Sequence, residues 1–259
     1  MNIAQHLEVA ARRHADRLAL IAGDRQWTYA ELDEAASALA GGLAGLGLQP
    51  GERLGLHLPN WPEFVLAYYA AQKVGLVPLS LNVTYKAEKL EYILRDAAAS
   101  AVITAAPVAA NLPATNRTPS VRHTLDARDL GSLTGRPVRA LDLDRDQTAA
   151  ILYTSATTGR PKGVMLTHGN TVSNAYATVH HLRMTPEDRG LCAVPLFHCH
   201  GITLLYGVPT MYILFLSPRT SRSTSRRSAS ASRRQRRCRS TSNAAGTSAT
   251  GIGSPRVTG

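Results

Sequence analysis

Tyr153-Thr-Ser-Ala-Thr-Thr-Gly-Arg-Pro-Lys-Gly-Val-Met-Leu-Thr-His168 is the stretch on which the reading of this chain turns. It grows out of residues 149–153, an apolar run of the length a buried parallel strand uses. The hydroxyl residues Thr154, Ser155, Thr157 and Thr158 follow, and Gly159 and Gly163 flank Arg160, Pro161 and Lys162. A loop of this kind offers backbone N–H groups and hydroxyls to a polyanion at short range. Glycine lets the backbone approach closely, and lysine adds a point charge. The next helix is expected from about Asn170, separated from the hydroxyls by residues 164–168. The loop itself, more than a helix dipole, must therefore hold a phosphate. The plainer reading is a polar turn between a strand and a helix, and a bare Ser/Thr/Gly cluster would support no more. The G-x-x-x-x-G-K-[ST] spacing of the Walker A loop is absent.

Working outward, strands and helices alternate. Residues 2–16 place Ile3, Leu7 and Ala11 at helical spacing, and residues 18–22 and 26–28 read as short strands around a turn at Gly23. Thr28 precedes Glu31 by three, the capping-box pattern. Leu32, Ala36, Leu39, Leu43 and Leu46 then recur on one helix face, closed by Gly45, Gly47 and Pro50. Residues 53–58 read as a strand. Asn60, with Glu63 three later, is expected to cap a helix running to about Val74 and stopped by Gly75. Residues 77–81 form a strand, Thr84 caps a helix through Asp96 that buries Leu90, Ile93 and Leu94, and residues 101–104 form another strand. Residues 105–146, with Pro107, Pro113, Pro119 and Pro137, lose this rhythm and read as a partly irregular surface segment. A helix over 170–183 and a strand over 190–195 follow. The alternation argues for an α/β fold with a mostly parallel sheet and flanking helices.

The 259 residues hold enough apolar side chains for a sizeable core. The net charge of +11 belongs to the end of the chain: residues 219–259 carry 10 of the 29 basic residues, all arginine, and no Asp or Glu. Cys192, Cys199 and Cys238 are an odd count with no disulfide framework, which suits a reducing, cytoplasmic compartment. The first residues lack the basic and apolar regions of a signal peptide. The apolar run 202–216, followed by arginines, has the look of a membrane span, but the wider segment is interrupted by Pro195, Gly207 and Pro209 and its uninterrupted part is too short. No membrane span is expected. His180, His181, Cys192, His198, Cys199 and His200 fit no standard zinc spacing, so no metal site is assigned.

Taken whole, the 153–168 string resembles the phosphate-binding signature of the adenylate-forming acyl-CoA synthetase family, Tyr-Thr-Ser-Gly-Thr-Thr-Gly-x-Pro-Lys-Gly-Val. It departs only at Ala156, where the signature has glycine. Trp27-Thr-Tyr-Ala-Glu-Leu32 is similar to an early family element, and Pro195-Leu-Phe-His-Cys-His-Gly201 to the motif after the phosphate loop. The resemblance implies the N-terminal part of an adenylation domain, with Thr154, Ser155, Thr157, Thr158, Gly159 and Lys162 holding ATP phosphates and His198 lining the acyl pocket. It implies activation of a small carboxylic acid with ATP and Mg2+ and transfer of the acyl group to CoA, or alternatively to a carrier protein. His198 and His200 read without the resemblance are two polar residues in a turn.

The resemblance then breaks. Gly207-Val-Pro-Thr-Met-Tyr212 is similar to a family segment that in relatives lies several tens of residues further on, so an internal deletion is expected, with no room for a crossover helix. Residues 217–259 are expected to be a disordered Arg/Ser-rich tail, because they contain almost nothing to bury. Arginine without lysine suggests a shifted GC-rich reading frame, the alternative being a basic arm for nucleic acid or anionic lipid. Non-specific polyanion binding is expected of the tail, and no specific nucleic acid. The family's later Tyr-Gly-x-Thr-Glu element, its ribose-binding Asp and its C-terminal lysine do not occur. Residues 1–216 are thus read as a partial adenylation domain, inactive by itself, with no catalytic residue assigned.

Overall fold

The computed structural model describes residues 2–154, 160–185, 187–198 and 210–213. These all fall in the first of two units, Met1–Phe215 and Leu216–Gly259. In chain order the elements are α1 (Ile3–Arg13), β1 (Leu18–Ala22), β2 (Arg25–Thr28), α2 (Tyr29–Gly45), β3 (Arg53–His57), α3 (Pro62–Lys73), β4 (Val77–Ser80), α4 (Ala87–Asp96), β5 (Ala99–Thr104) and the single turn α5 (Ala106–Ala109). Then come β6 (His123–Asp126), β7 (Thr148–Thr154), β8 (Lys162–Thr167), α6 (His168–His181), β9 (Arg189–Cys192) and β10 (Thr210–Ile213).

The strands form two sheets where the sequence suggested one. The larger has the order β6-β5-β3-β4-β7-β8 and is parallel except at β8, which runs antiparallel along β7. The smaller has the order β2-β1-β10-β9, parallel except for the β1–β2 hairpin. The mostly parallel α/β architecture with flanking helices is as the sequence alternation argued.

Helices cover both faces of the larger sheet, which is why its strands are apolar throughout. Leu54, Leu56, Ala101 and Ile103 join one buried cluster with α2 and α3, through Leu39, Leu43, Phe64 and Tyr68. Leu79 and Val102 join a second cluster with Leu90, Ile93 and Leu94 of α4. In β5 the alternation of a strand sends Ala101 and Ile103 to one face and Val102 to the other. The capping boxes close as expected at Thr28 and Glu31, and also at Asn2 with Gln5 and Thr167 with Asn170.

Several boundaries differ from the sequence reading. Helix α3 begins at Pro62 with Trp61 as its cap residue and no side-chain cap. Proline at the first position presets φ and lacks an N–H, so a cap is less needed there. Helix α4 is capped by Lys86, while the Thr84 hydroxyl and amide both bond Asn82 Oδ1 at 2.9 Å. The segment 105–146 contains β6, an edge strand parallel to β5 whose half-exposed pattern gave no strong signal. Residues 133–141 of that segment are strapped over α2 and α3. Gly135 N–H donates to Ala38 O at 3.0 Å and Leu141 N–H to Lys73 O at 2.9 Å. Gly41 and Gly135 allow this backbone-to-backbone approach, since a Cβ on Gly41 would lie 2.3 Å from Arg136 O.

The expectation that no crossover fits before the Gly207–Tyr212 segment is corrected. β10 pairs in parallel with β9, Thr210 against Arg189 through Ile213 against Cys192. Residues 193–209 are long enough for a parallel connection, which needs about a dozen residues. The rest of the apolar run 202–216 lies outside the described residues. No helix among the described residues is long and apolar enough to cross a membrane.

Candidate active site: a phosphate loop on a β-hairpin

β7 enters the site as a strand buried beside β4, with Leu79 opposite Ile151 and Ser80 opposite Leu152. Residues 164–168, which the sequence left without a form, are mostly β8. It returns along β7 with Thr167 against Thr148, Leu166 against Ala150, Val164 against Leu152, Gly163 against Tyr153 and Lys162 against Thr154. The candidate phosphate loop is therefore the connection of a hairpin. It leaves from the carboxyl end of a parallel strand, where open α/β sheets bind their ligands.

Thr154 and Lys162 face each other across the neck of this loop, and both are exposed. Directly opposite residues have Cβ atoms about 4.5–5.5 Å apart, so one hydroxyl and one ammonium can reach the same phosphate oxygen. Arg160 is exposed beside them. Ser155, Thr157, Thr158 and Gly159 lie outside the described residues. Of six candidate phosphate ligands, the structure thus shows two, and it brings those two together.

His198 is exposed in the segment after β9 of the smaller sheet, where its backbone N–H donates to Pro195 O at 2.9 Å. Asn60 holds that segment. Its Oδ1 accepts from Leu196 N–H at 2.7 Å and its Nδ2 donates to Val194 O at 2.9 Å. The sequence reading gave Asn60 a helix-cap role and missed this one. No local signal marks a contact between residues so far apart in the chain. Cys192 is buried, its Sγ is 3.3 Å from Val194 O, and burial raises its thiol pKa. It is a core residue. Among the described residues no three His, Cys, Asp or Glu side chains converge as a metal site.

Also missed were Tyr92 and Asp96 of α4, which touch the two stems of the loop. Tyr153 donates its hydroxyl to Asp96 Oδ2, and Tyr92 donates to Pro161 O at 3.2 Å.

With this geometry in view, the comparisons with known proteins are consistent. The AMP-binding enzyme family matches residues 7–213. The chain belongs to the AMP-binding enzyme family. It is 37% identical over 215 residues to phosphinothricin tripeptide synthetase PhsC of Streptomyces viridochromogenes, a match that takes in 82% of this chain and 20% of that protein. It is 29% identical over 232 residues to the medium-chain fatty-acid–CoA ligase of Escherichia coli, covering 82% of this chain and 41% of the ligase. Its structure matches that of a Mycobacterium tuberculosis fatty acyl CoA synthetase with a TM-score of 0.77 at 27% identity, over 82% of this chain and 44% of that one. The chain thus spans well under half the length of each of these relatives.

Proposed function

We propose that residues 1–216 are the amino-terminal part of an adenylation domain that grips the phosphates of ATP for the activation of a carboxylic acid. The observation that carries this reading is the pairing of Thr154 with Lys162 at the neck of a Gly/Thr-rich hairpin loop. In the whole reaction a carboxylate oxygen attacks the α-phosphorus, acyl-AMP forms and pyrophosphate leaves. A thiol then displaces AMP and takes the acyl group. The demand on the loop is to hold and neutralise the departing phosphates. Lys162 supplies charge, and Thr154, Ser155, Thr157, Thr158 and the Gly159 amide supply donors.

The likeness to fatty-acid–CoA ligases supports CoA as the acceptor and an acid of the fatty-acid class as substrate. The likeness to a peptide synthetase supports a carrier-protein thiol as the alternative. Mg2+ neutralises phosphate charge in such reactions. We place the chain in the cytoplasm. We further propose that residues 1–216 by themselves bind phosphates without turning over, because the adenine, ribose and C-terminal lysine elements are not among them. Residues 217–259 are then a tail outside the domain, most simply the product of a shifted frame.

The test is equilibrium binding of Mg-ATP and pyrophosphate to the full chain, beside pyrophosphate exchange with acetate, fatty acids, aryl acids and malonate. Lys162→Ala should weaken pyrophosphate binding by about tenfold or more, the worth of one charge-assisted contact. If phosphate binding requires φ > 0 at position 156, Ala156→Gly should tighten it, because alanine pays about 1 kcal/mol for that conformation. Exchange should be absent. Exchange with any acid would overturn the inactive reading, and failure to bind pyrophosphate would overturn the phosphate loop.

A further inference from the structure

Both stems of the phosphate loop end on one helix. Tyr153 stands one residue before Thr154, and its hydroxyl donates to Asp96, the last residue of α4. Pro161 stands one residue before Lys162, and its carbonyl accepts from the Tyr92 hydroxyl at 3.2 Å. Tyr92 and Asp96 are four apart, so α4 presents both on one face. The two hydrogen bonds therefore bracket the Thr154–Lys162 pair, one at Tyr153 on the strand side and one at Pro161 on the loop side.

Gly163 explains how Tyr153 reaches so far. It is directly opposite Tyr153 on β8. A Cβ there would lie 3.1 Å from Cζ and 3.2 Å from Cε2 of the Tyr153 ring. The ring lies across the glycine, and its hydroxyl passes on to α4. Burial, and then the hydrogen bond to Asp96, raises the phenol pKa, so the hydroxyl remains a donor throughout the physiological range. Asp96 is an exposed carboxylate on the helix that anchors an anion-binding loop. By charge alone it would oppose phosphate binding. Its acceptor role toward Tyr153 gives it a reason to be there.

We propose that Tyr92 and Asp96 are positioning residues for phosphate binding, clamping the two stems of the loop so that Thr154 and Lys162 stay aimed at one site. This rests on the phosphate-loop reading above. The clamp is separable from mere stability, because it predicts opposite signs for charge and geometry at Asp96.

The experiment uses the full chain with three variants, Tyr92→Phe, Asp96→Ala and Asp96→Asn. Pyrophosphate and Mg-ATP affinity, the thermal midpoint and amide hydrogen exchange at residues 150–154 and 162–166 are measured for each. Tyr92→Phe and Asp96→Ala should each weaken pyrophosphate binding about fivefold, the worth of one hydrogen bond. Exchange should quicken in the stems while the thermal midpoint barely moves. Asp96→Asn keeps an acceptor and loses the charge, so it should bind at least as tightly as the parent. Adding Tyr153→Phe to Asp96→Ala should cause little further loss, because one bond is being removed twice. Unchanged or tighter binding by Asp96→Ala and Tyr92→Phe, with unchanged exchange, would overturn the clamp. If the parent chain binds no pyrophosphate, the phosphate-loop reading fails, and the clamp stands or falls on stem exchange alone. Should Asp96→Ala fail to fold, Tyr92→Phe decides by the same two readouts.

Discussion

Lys73 Nζ, completely buried at the end of α3, lies 2.9 Å from Glu8 Oε1 of α1. Asp33 Oδ1 of α2 is 2.8 Å from the same ammonium, and Glu8 Oε1 also accepts from Ala140 N–H at 2.7 Å. One cation thus ties three helices and the 131–147 strap together. Burial by itself would raise the Glu8 pKa. The Lys73 hydrogen bond, the Ala140 amide and the positive charges of Lys73 and Arg12 outweigh it, and the net shift is downward.

Lys73→Met should therefore be among the most damaging single changes. It leaves the partly buried carboxylates of Glu8 and Asp33 facing each other with only the exposed Arg12, 4.0 Å from Glu8 Oε2, as a cation nearby. Losing one partner of a buried pair costs about 3–5 kcal/mol, and the partial exposure of Glu8 and Asp33 reduces that to about 2–4 kcal/mol. Glu8→Gln should cost less, since Asp33 still neutralises the ammonium. Urea denaturation of the three proteins checks the order, and equal stability of Lys73→Met and the parent would refute it.

Stability should fall on mild acidification. His57 is buried, with Nδ1 3.2 Å from Thr104 Oγ1, and burial lowers its pKa to about 4. His168 heads α6, where its Nδ1 accepts from Ile3 N–H at 3.4 Å. Burial first, then the positive amino terminus, lowers it to about 4 as well. The unfolded chain takes up both protons near pH 6.5, the folded chain only near pH 4. Between those values the unfolded state holds more protons, so stability is full above pH 6.5 and is lost as the pH falls towards 4. Each ring can contribute a slope of at most about 1.4 kcal/mol per pH unit. The loss of the Glu8 interactions comes lower, below its usual carboxylate range. Denaturation midpoints taken from pH 7 to pH 4 should show the decline, and His57→Leu should flatten it. A midpoint constant over that interval would show that neither ring stays neutral in the fold.

Two glycines of α2 should respond oppositely to alanine. A Cβ on Gly41 would sit 2.3 Å from the Arg136 carbonyl oxygen, whereas at Gly45 nothing lies within 4 Å. Gly41→Ala must push the strap away and should cost about 1–3 kcal/mol. Gly45→Ala should stabilise by about 0.5–1 kcal/mol through the lower entropy of the unfolded chain. Thermal melts of both variants decide the matter. Stabilisation of equal size at the two sites would mean that helix propensity, not the strap, governs this face.

The ten arginines of residues 219–259 should bind DNA, RNA and anionic vesicles at low salt, without sequence preference. A segment without aromatic residues has no platform on which bases stack. Filter binding should show affinity falling steeply as salt rises, and deletion of 219–259 should abolish it. Recognition of one nucleic-acid sequence at physiological salt, lost with the tail, would make it an evolved arm.

Much of this molecule was legible in its sequence because the signals are local. The capping box at Thr28 and Glu31 works across one helical turn, and the apolar run 149–153 announces a strand buried on both faces. The 153–168 string identified the family from residue order alone. What only the tertiary structure decided depends on contacts between distant residues. Residues 162–167 became β8 because β7 offered an open edge. Asn60 left its expected cap to hold residues 194–196, since Pro62 starts α3 without one. Neither Tyr92 nor Asp96 carries any mark of the phosphate loop in its own neighbourhood. Their partners Pro161 and Tyr153 lie far along the chain, and only the packing of α4 beneath the larger sheet brings them within a hydrogen bond. Short-range hydrogen bonds and side-chain periodicity are written in consecutive residues, whereas the approach of α4 to the loop is set by how both pack on the same sheet.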